Sequence, residues 1–213
     1  MSIVCNLMKN STLTKNNHLD NLYIDKNNIF LFDLDGTLVE TDNANFLAYR
    51  EAILKIKGFN LFSLNLYRER FTREKLKSII PNLSELEYQK IIELKNTVYK
   101  KYLHETKINN LVLKTIKEYK KNNKIVLITN SSKKRANLIL EYHKLINIFD
   151  YIFYKEDLNN QKNSKFEYAL EYLKIDPKLA IIFENDEFEI KEAKLVGIPT
   201  QNIIKVKGKK YRE

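Results

Sequence analysis

Ten residues, Ile29-Phe30-Leu31-Phe32-Asp33-Leu34-Asp35-Gly36-Thr37-Leu38, constrain this chain more than any other stretch. Four apolar residues run into two carboxylates one residue apart and then into a Gly-Thr turn. An apolar run bounded by a turn signal suits a strand covered on both faces of a parallel sheet. Its acids then fall at the carboxyl end, where open α/β sheets bind ligands. Residues two apart share a face of a straight strand, and a turn at Gly36 lets both acids border one pocket. Two carboxylates held together out of water need a cation, so the pattern asks for a hard metal with oxygen ligands.

With 213 residues and 44% hydrophobic content, the chain can bury a real core, as one large domain or as a core plus a smaller unit. No apolar run approaches the roughly 18 residues of a membrane span, so no membrane association is expected. The opening Met1-Ser2-Ile3-Val4-Cys5-Asn6 does not read as a secretory signal. Cys5 is the lone cysteine, which excludes an intrachain disulfide and suits the reducing cytoplasm, the expected location. The net charge of +10 comes from lysines spread along the chain among asparagines and isoleucines. A nucleic-acid face would cluster basic residues with stacking aromatics, so no nucleic-acid partner is expected. The basic tail Lys205–Arg212 reads as a solvated end.

Residues 1–28 are polar and read as an extension, with Leu22-Tyr23-Ile24 hinting at a short strand or docked segment. From 41 to 106 the pattern is helical. Apolar residues fall at helical spacing from Phe46 to Ile56, with Thr41 or Asp42 as N-cap and a break at Gly58. A helix stopped by Pro81 follows. Ser84 with Glu87 is a capping box opening a long helix striped by Leu86, Ile91, Leu94, Val98 and Tyr102. From 107 onward strands and helices alternate, with strands near 124–129, 151–154, 179–183 and 202–206 and helices near 111–119, 133–145, 165–173 and 190–195. The predicted fold is α/β: a Rossmann-like parallel sheet over 29–40 and 107–213, with an all-helical cap inserted over 41–106.

Three strands then end in polar residues at one sheet edge: Asp33 and Asp35; Thr129 and Asn130; Glu184, Asn185 and Asp186. Acids, a hydroxyl and a nearby lysine suit phosphoryl transfer to a carboxylate. A phosphate dianion approaching an anionic nucleophile needs a divalent cation and an ammonium, each contact being worth on the order of 4 kcal/mol at 4 Å.

These residues resemble the haloacid dehalogenase superfamily of phosphohydrolases, in the helical-cap subclass that holds the β-phosphoglucomutase-like and phosphoglycolate phosphatase-like members. The resemblance covers 29 to about 204. It implies Asp33 as nucleophile and metal ligand, and Asp35 as general acid/base with its carbonyl on Mg²⁺. It further implies Thr129 as a hydrogen-bond donor to the phosphoryl group, with Asn130 and Gly36 beside the substrate. Asp35 disfavours the dehalogenase branch. Lys165 fits the family's phosphate-binding lysine, since Phe166, Ala169, Leu170 and Leu173 form that helix's buried stripe; Lys162 is the rival. The metal-binding motif departs from the family, with Asn185 where Asp is usual. Glu189, Ile190, Ala193 and Gly197 fix this register, so Glu184 and Asn185 are the expected metal ligands, with Asp186 the alternative under a one-residue shift.

The cap would decide the substrate, expected to be a small phosphorylated metabolite. Asn43, Asn45, Tyr49, Arg50, Tyr67, Arg68, Arg70 and Arg73 are its candidate pocket residues, with Arg50 and Arg68 taken as substrate contacts. A Mg²⁺-dependent phosphatase acting through an aspartyl-phosphate is the expected function, in a monomer or small homo-oligomer. A phosphomutase of the same family, or a non-catalytic binding protein suggested by Asn185, are the alternatives.

Overall fold

The computed structural model describes residues 22–58, 71–158 and 164–207. Five strands form a parallel sheet in the order β5-β4-β1-β6-β7: β1 (Ile29–Phe32), β4 (Lys124–Ile128), β5 (Tyr151–Phe153), β6 (Ala180–Glu184) and β7 (Ile203–Lys205). The opening stretch thus forms the central strand, and all four of its residues are buried. Alternation sends Phe30 and Phe32 to one face with Ile125, Leu127, Ile181 and Phe183, where Phe32 stacks on Phe183 at 4.7 Å. Ile29 and Leu31 pack on the other face against α7 (Lys165–Leu173) and α8 (Glu187–Leu195). Helices α4 (Asn110–Tyr119) and α5 (Lys133–Tyr142) complete the first face, and a short helix, α6 (Lys155–Leu158), follows β5.

Between β1 and α4 the chain runs through α1 (Asp42–Lys57), α2 (Arg73–Ile79), α3 (Glu85–Val98) and a 3₁₀ segment, Tyr99–Glu105. This region has its own apolar cluster, in which Phe46, Tyr49, Ile53, Phe71, Leu76 and Ile91 are buried together. Its punctuation follows the sequence. Gly58 ends α1 at a left-handed φ of 74°, and Ser84 and Glu87 form the reciprocal capping box of α3. Two features differ. Leu86 lies outside the buried stripe of α3 and is 66% exposed, being in the first turn beyond the packed face. A two-residue strand, β2 (Val39–Glu40), pairs antiparallel with β3 (Lys107–Ile108), a pairing too short to leave a sequence period. Leu22-Tyr23-Ile24 forms no strand; Tyr23 is exposed and Ile24 packs against the core. Among the described residues, no helix is long and apolar enough to cross a membrane.

Candidate active site

Parallel register brings the polar strand ends together. Phe32 pairs with Leu127 on one side and with Phe183 on the other, so Asp33 emerges beside Glu184 with Thr129 across β4. Lys165, the first residue of α7, follows the N-cap Ser164 and turns its side chain into the sheet edge. Its Nζ donates to Asp33 Oδ1 at 3.0 Å and to Glu184 Oε2 at 2.8 Å, with Glu189 Oε2 at 3.7 Å. All three of Asp33, Lys165 and Glu184 are buried. The expected cation position between Asp33 and Glu184 is therefore spanned by an ammonium. Lys162 lies outside the described residues.

One ammonium faces three carboxylates here. Burial pushes the Asp33 carboxyl up against the pull of Lys165, and Glu184 and Asp35 push it further. Lys165 is raised despite its burial, because Asp33, Glu184 and Glu189 all favour the charged amine. The two directions agree on one point: the cluster carries more negative charge than Lys165 offsets.

Asp35 is balanced separately. Arg135 of α5 forks onto it, with Nη2 2.5 Å from Oδ1 and Nη1 2.9 Å from Oδ2. Thr41 Oγ1 donates to Oδ1 and Ser131 Oγ to Oδ2, each at 2.5 Å. Burial raises this carboxyl, but Arg135, Ser131 and Thr41 outweigh it and hold Asp35 far below the usual carboxylate range. Arg135 lies over the Tyr99 ring, 4.8 Å from its centroid.

Thr129 is buried, and its Oγ1 accepts from the Ser131 backbone N–H at 3.1 Å, leaving the hydroxyl proton to donate. Asn130 is exposed and donates to Glu189 at 2.7 Å. Gly36 turns the chain at φ 87°, where a Cβ would stand 2.6 Å from the Asn185 amide. Asn185 is thus wedged behind the turn. One end of its amide is 3.1 Å from the Asp35 carbonyl, 3.3 Å from Glu184 Oε1 and 3.0 Å from Thr37 Oγ1. As nitrogen, that end satisfies these three oxygens; as oxygen, it leaves the Asp35 carbonyl and Glu184 facing it with no proton between them. Asp186 instead caps α8, accepting from Phe188 N–H at 2.9 Å.

The donor chemistry fits a hard cation. Asp33 and the Asp35 carbonyl supply oxygens beside an excess of buried negative charge, the Asn185 amide would add another once turned end for end, and Mg²⁺ is often held by only one or two carboxylates plus substrate oxygens. Among the described residues, no three of His, Cys, Asp and Glu group as a ligand set, so the site leans on neutral oxygens.

Asp33, Asp35, Thr129, Asn130, Lys165 and Glu184 line a cavity of about 700 Å³, with Gly36 and Asn185 behind its wall; its other side is helical: Asn45 and Tyr49 of α1, Arg73 of α2, Lys95 and Asn96 of α3. Arg50 does not line it, and Asn43 faces solvent, donating to Glu105. Tyr67, Arg68 and Arg70 lie outside the described residues. Sequence reasoning missed Ser131, Arg135 and Lys95. The signal for both cations was periodic: Lys95 follows Ile91 and precedes Val98 and Tyr99 on the buried side of α3, and Arg135 precedes Ile139 by one turn.

A parallel α/β sheet with an acid pair after its central strand, a lysine bonded to the first acid and helices across the cavity is the frame of a hydrolase. The chain belongs to the haloacid dehalogenase-like hydrolases, whose family model matches residues 30–203. It is 28% identical over 201 residues to the pyrophosphatase PpaX of Bacillus cereus (strain B4264), covering 87% of this chain and 88% of that one. Its fold is shared by a subfamily IA hydrolase of the same superfamily from Geobacter sulfurreducens PCA, with a TM-score of 0.64, 17% identity and 82% and 86% of the two chains covered. A predicted phosphoglycolate phosphatase from Haemophilus somnus 129pt superposes with a TM-score of 0.67, at 18% identity over 82% and 84% of the chains.

Proposed function

We propose that this hydrolase is a Mg²⁺-dependent phosphatase that cleaves a small phosphorylated metabolite through an aspartyl-phosphate on Asp33. The observation that carries the reading is Asp33 itself: Lys165 holds Oδ1, while no described residue donates to Oδ2, and the carboxylate lines a metabolite-sized cavity. Oδ2 forms the bond to phosphorus as the bond to the leaving oxygen breaks. Lys165 and the Thr129 hydroxyl donate to the phosphoryl oxygens, offsetting charge as it shifts. Once released from the Arg135 fork, the Asp35 carboxylate takes up a proton from solvent, passes it to the leaving oxygen, and as a carboxylate again takes one from the water that hydrolyses the acyl phosphate. Asp33, the Asp35 carbonyl and the Asn185 amide oxygen would hold the cation, with Glu184 behind them. When bound, the cation supplies Lewis-acid stabilisation of the non-bridging oxygens.

In this reading residues 29–40 and 107–213 are the catalytic core and 41–106 the cap that closes over the substrate. Both relatives named for a substrate act on small phosphorylated compounds, which supports a metabolite here. Phosphate release with Mg²⁺ across a panel of phosphorylated metabolites tests the reading. Release that stops with EDTA and with Asp33→Asn is expected; undiminished release in Asp33→Asn would overturn it. Asn185 favours one second reading, a non-catalytic binder on the same fold, which any Mg²⁺-dependent release from an aryl phosphate rules out. Free phosphate also separates a phosphatase from a phosphomutase.

A further inference from the structure

Among the described residues, Lys95 is the buried lysine of the cavity with no carboxylate partner. It is only 7% exposed, yet no carboxylate lies within ion-pair distance of its Nζ. Two aromatic faces flank it, Tyr49 at 5.0 Å and Tyr99 at 5.2 Å from the ring centroids. Cation–π contacts are worth about 0.5–2 kcal/mol each, whereas taking an ammonium out of water costs several. The charged groups that act on it are Arg135 and Arg73, which repel it, and Asp35, which Arg135 already neutralises. The site therefore holds a desolvated cation in place with nothing of its own to pair it. Buried Lys165 and half-buried Arg135, by contrast, are matched to carboxylates.

Lys95 also lies on a particular side of the site. The acid that acts on it is Asp35, the group assigned to protonate the leaving oxygen, and not Asp33, which takes the phosphoryl group. A partner for Lys95 would thus belong to the leaving group. Asn45 and Asn96 also line the cavity, and Arg73 lies against the Tyr49 hydroxyl. Together they offer an anion two basic groups and neutral amides.

We propose that Lys95 is the receptor for a second anionic group on the substrate, so that this enzyme acts on short phosphoryl compounds whose leaving group carries a carboxylate or another phosphoryl group. The inference rests on the phosphatase reading for the placement of the leaving group. It adds what that reading leaves open, the charge of the leaving group itself. An uncharged leaving group would leave Lys95 buried and unpaired in the complex as well, and an anionic one removes that penalty.

The test uses the full chain with Mg²⁺ and three compounds of similar length: ethyl phosphate, 2-phosphoglycolate and inorganic pyrophosphate. The unaltered protein is expected to favour at least one doubly anionic compound over ethyl phosphate by about tenfold or more in kcat/KM, equivalent to one charge-assisted contact. Lys95→Met and Lys95→Gln should collapse that ratio through KM, and Lys95→Arg should restore part of it. Preference for phosphoglycolate identifies a carboxylate as the second group, and preference for pyrophosphate a phosphoryl group. A ratio near one, or one that survives both neutral variants, overturns the proposal while leaving the phosphatase intact. Calorimetric binding of the same compounds to Asp33→Asn, with and without Lys95→Met, separates the two readings. Lys95-dependent binding of the doubly anionic compounds without any turnover would sink the phosphatase and keep the anion receptor.

Discussion

The guanidinium of Arg135 grips both oxygens of Asp35, so the side chain assigned to acid–base work rests in a fully ionised, fully hydrogen-bonded state. Only 16% of the arginine side chain and 10% of the aspartate side chain are exposed, so solvent screens the pair weakly. Removing the arginine alone strands a buried carboxylate. Arg135→Ala is expected to destabilise the protein by about 3 kcal/mol or more, and Asp35→Asn combined with Arg135→Ala by less than the sum of the two. Urea unfolding of the four proteins in that cycle measures the coupling, and additive losses would count against the pair.

Lys95 gives a pH signature. Burial pulls its ammonium down to about 7, with the neighbouring Arg135 and Arg73 adding to the shift. The unfolded chain keeps the ordinary, higher value, so between about pH 7 and 10 the unfolded state binds more protons. Stability in that window therefore rises with pH, and below pH 7 the cost of the buried charge is present in full. Lys95→Met should be more stable than the parent at pH 6, with the gap closing towards pH 10. Melting curves of both proteins across that range supply the check, and a gap independent of pH would contradict it.

Asn185, which the proposed function puts beside the cation, is a neutral amide wedged against Gly36 and Glu184. Asn185→Asp adds a carboxylate beside the Asp35 carbonyl. The Mg²⁺ concentration that half-saturates phosphate release is expected to fall by about tenfold, since a charged oxygen ligand binds Mg²⁺ more strongly than an amide oxygen. A Mg²⁺-induced rise in melting temperature, larger in the variant, reports the same change without turnover. Without Mg²⁺ the variant should be less stable, because it adds charge to a cluster already in excess.

Gly36 meets two demands at once, a φ of 87° and an Asn185 amide so close that a Cβ would stand 2.6 Å from it. Gly36→Ala should cost about 1–2 kcal/mol from conformation alone, and displacing Asn185 should lower catalysis beyond that stability loss. Denaturation and phosphate release on the same sample separate the two effects.

Much of this fold was legible because its signals are local. The apolar run of β1 is buried at every position, the break at Gly58 is a left-handed cap, and α7 begins at Lys165 as its stripe requires. Asp33, Lys165 and Glu184 converge because parallel register carries strand ends to one edge, which alternation alone implies. Arg135 and Lys95 were hidden by the chain's own chemistry. Among 37 lysines and arginines, a basic residue at an inward helical position looks like one more solvated charge. Its partners, Asp35 a hundred residues away and the rings of Tyr49 and Tyr99, exist only once the chain is folded. Asn185 was read as a ligand from its place in the motif, but no sequence pattern reveals that Gly36 closes on it from behind.

The short ribbon of β2 and β3 pairs Val39 with Ile108 and Glu40 with Lys107, so the chain leaves the sheet for its helical excursion and comes back at a single doorway. The stretch from α1 to the 3₁₀ turn enters and leaves through that two-rung clasp, and Ala44, Ala48, Val98 and Tyr99 seat it on the sheet's core. A different excursion with the same entry and exit could be spliced at Glu40 and Lys107 without re-registering any strand of the sheet. Substrate preference would then be exchangeable as a cassette, while the chemistry stays with the strands beneath.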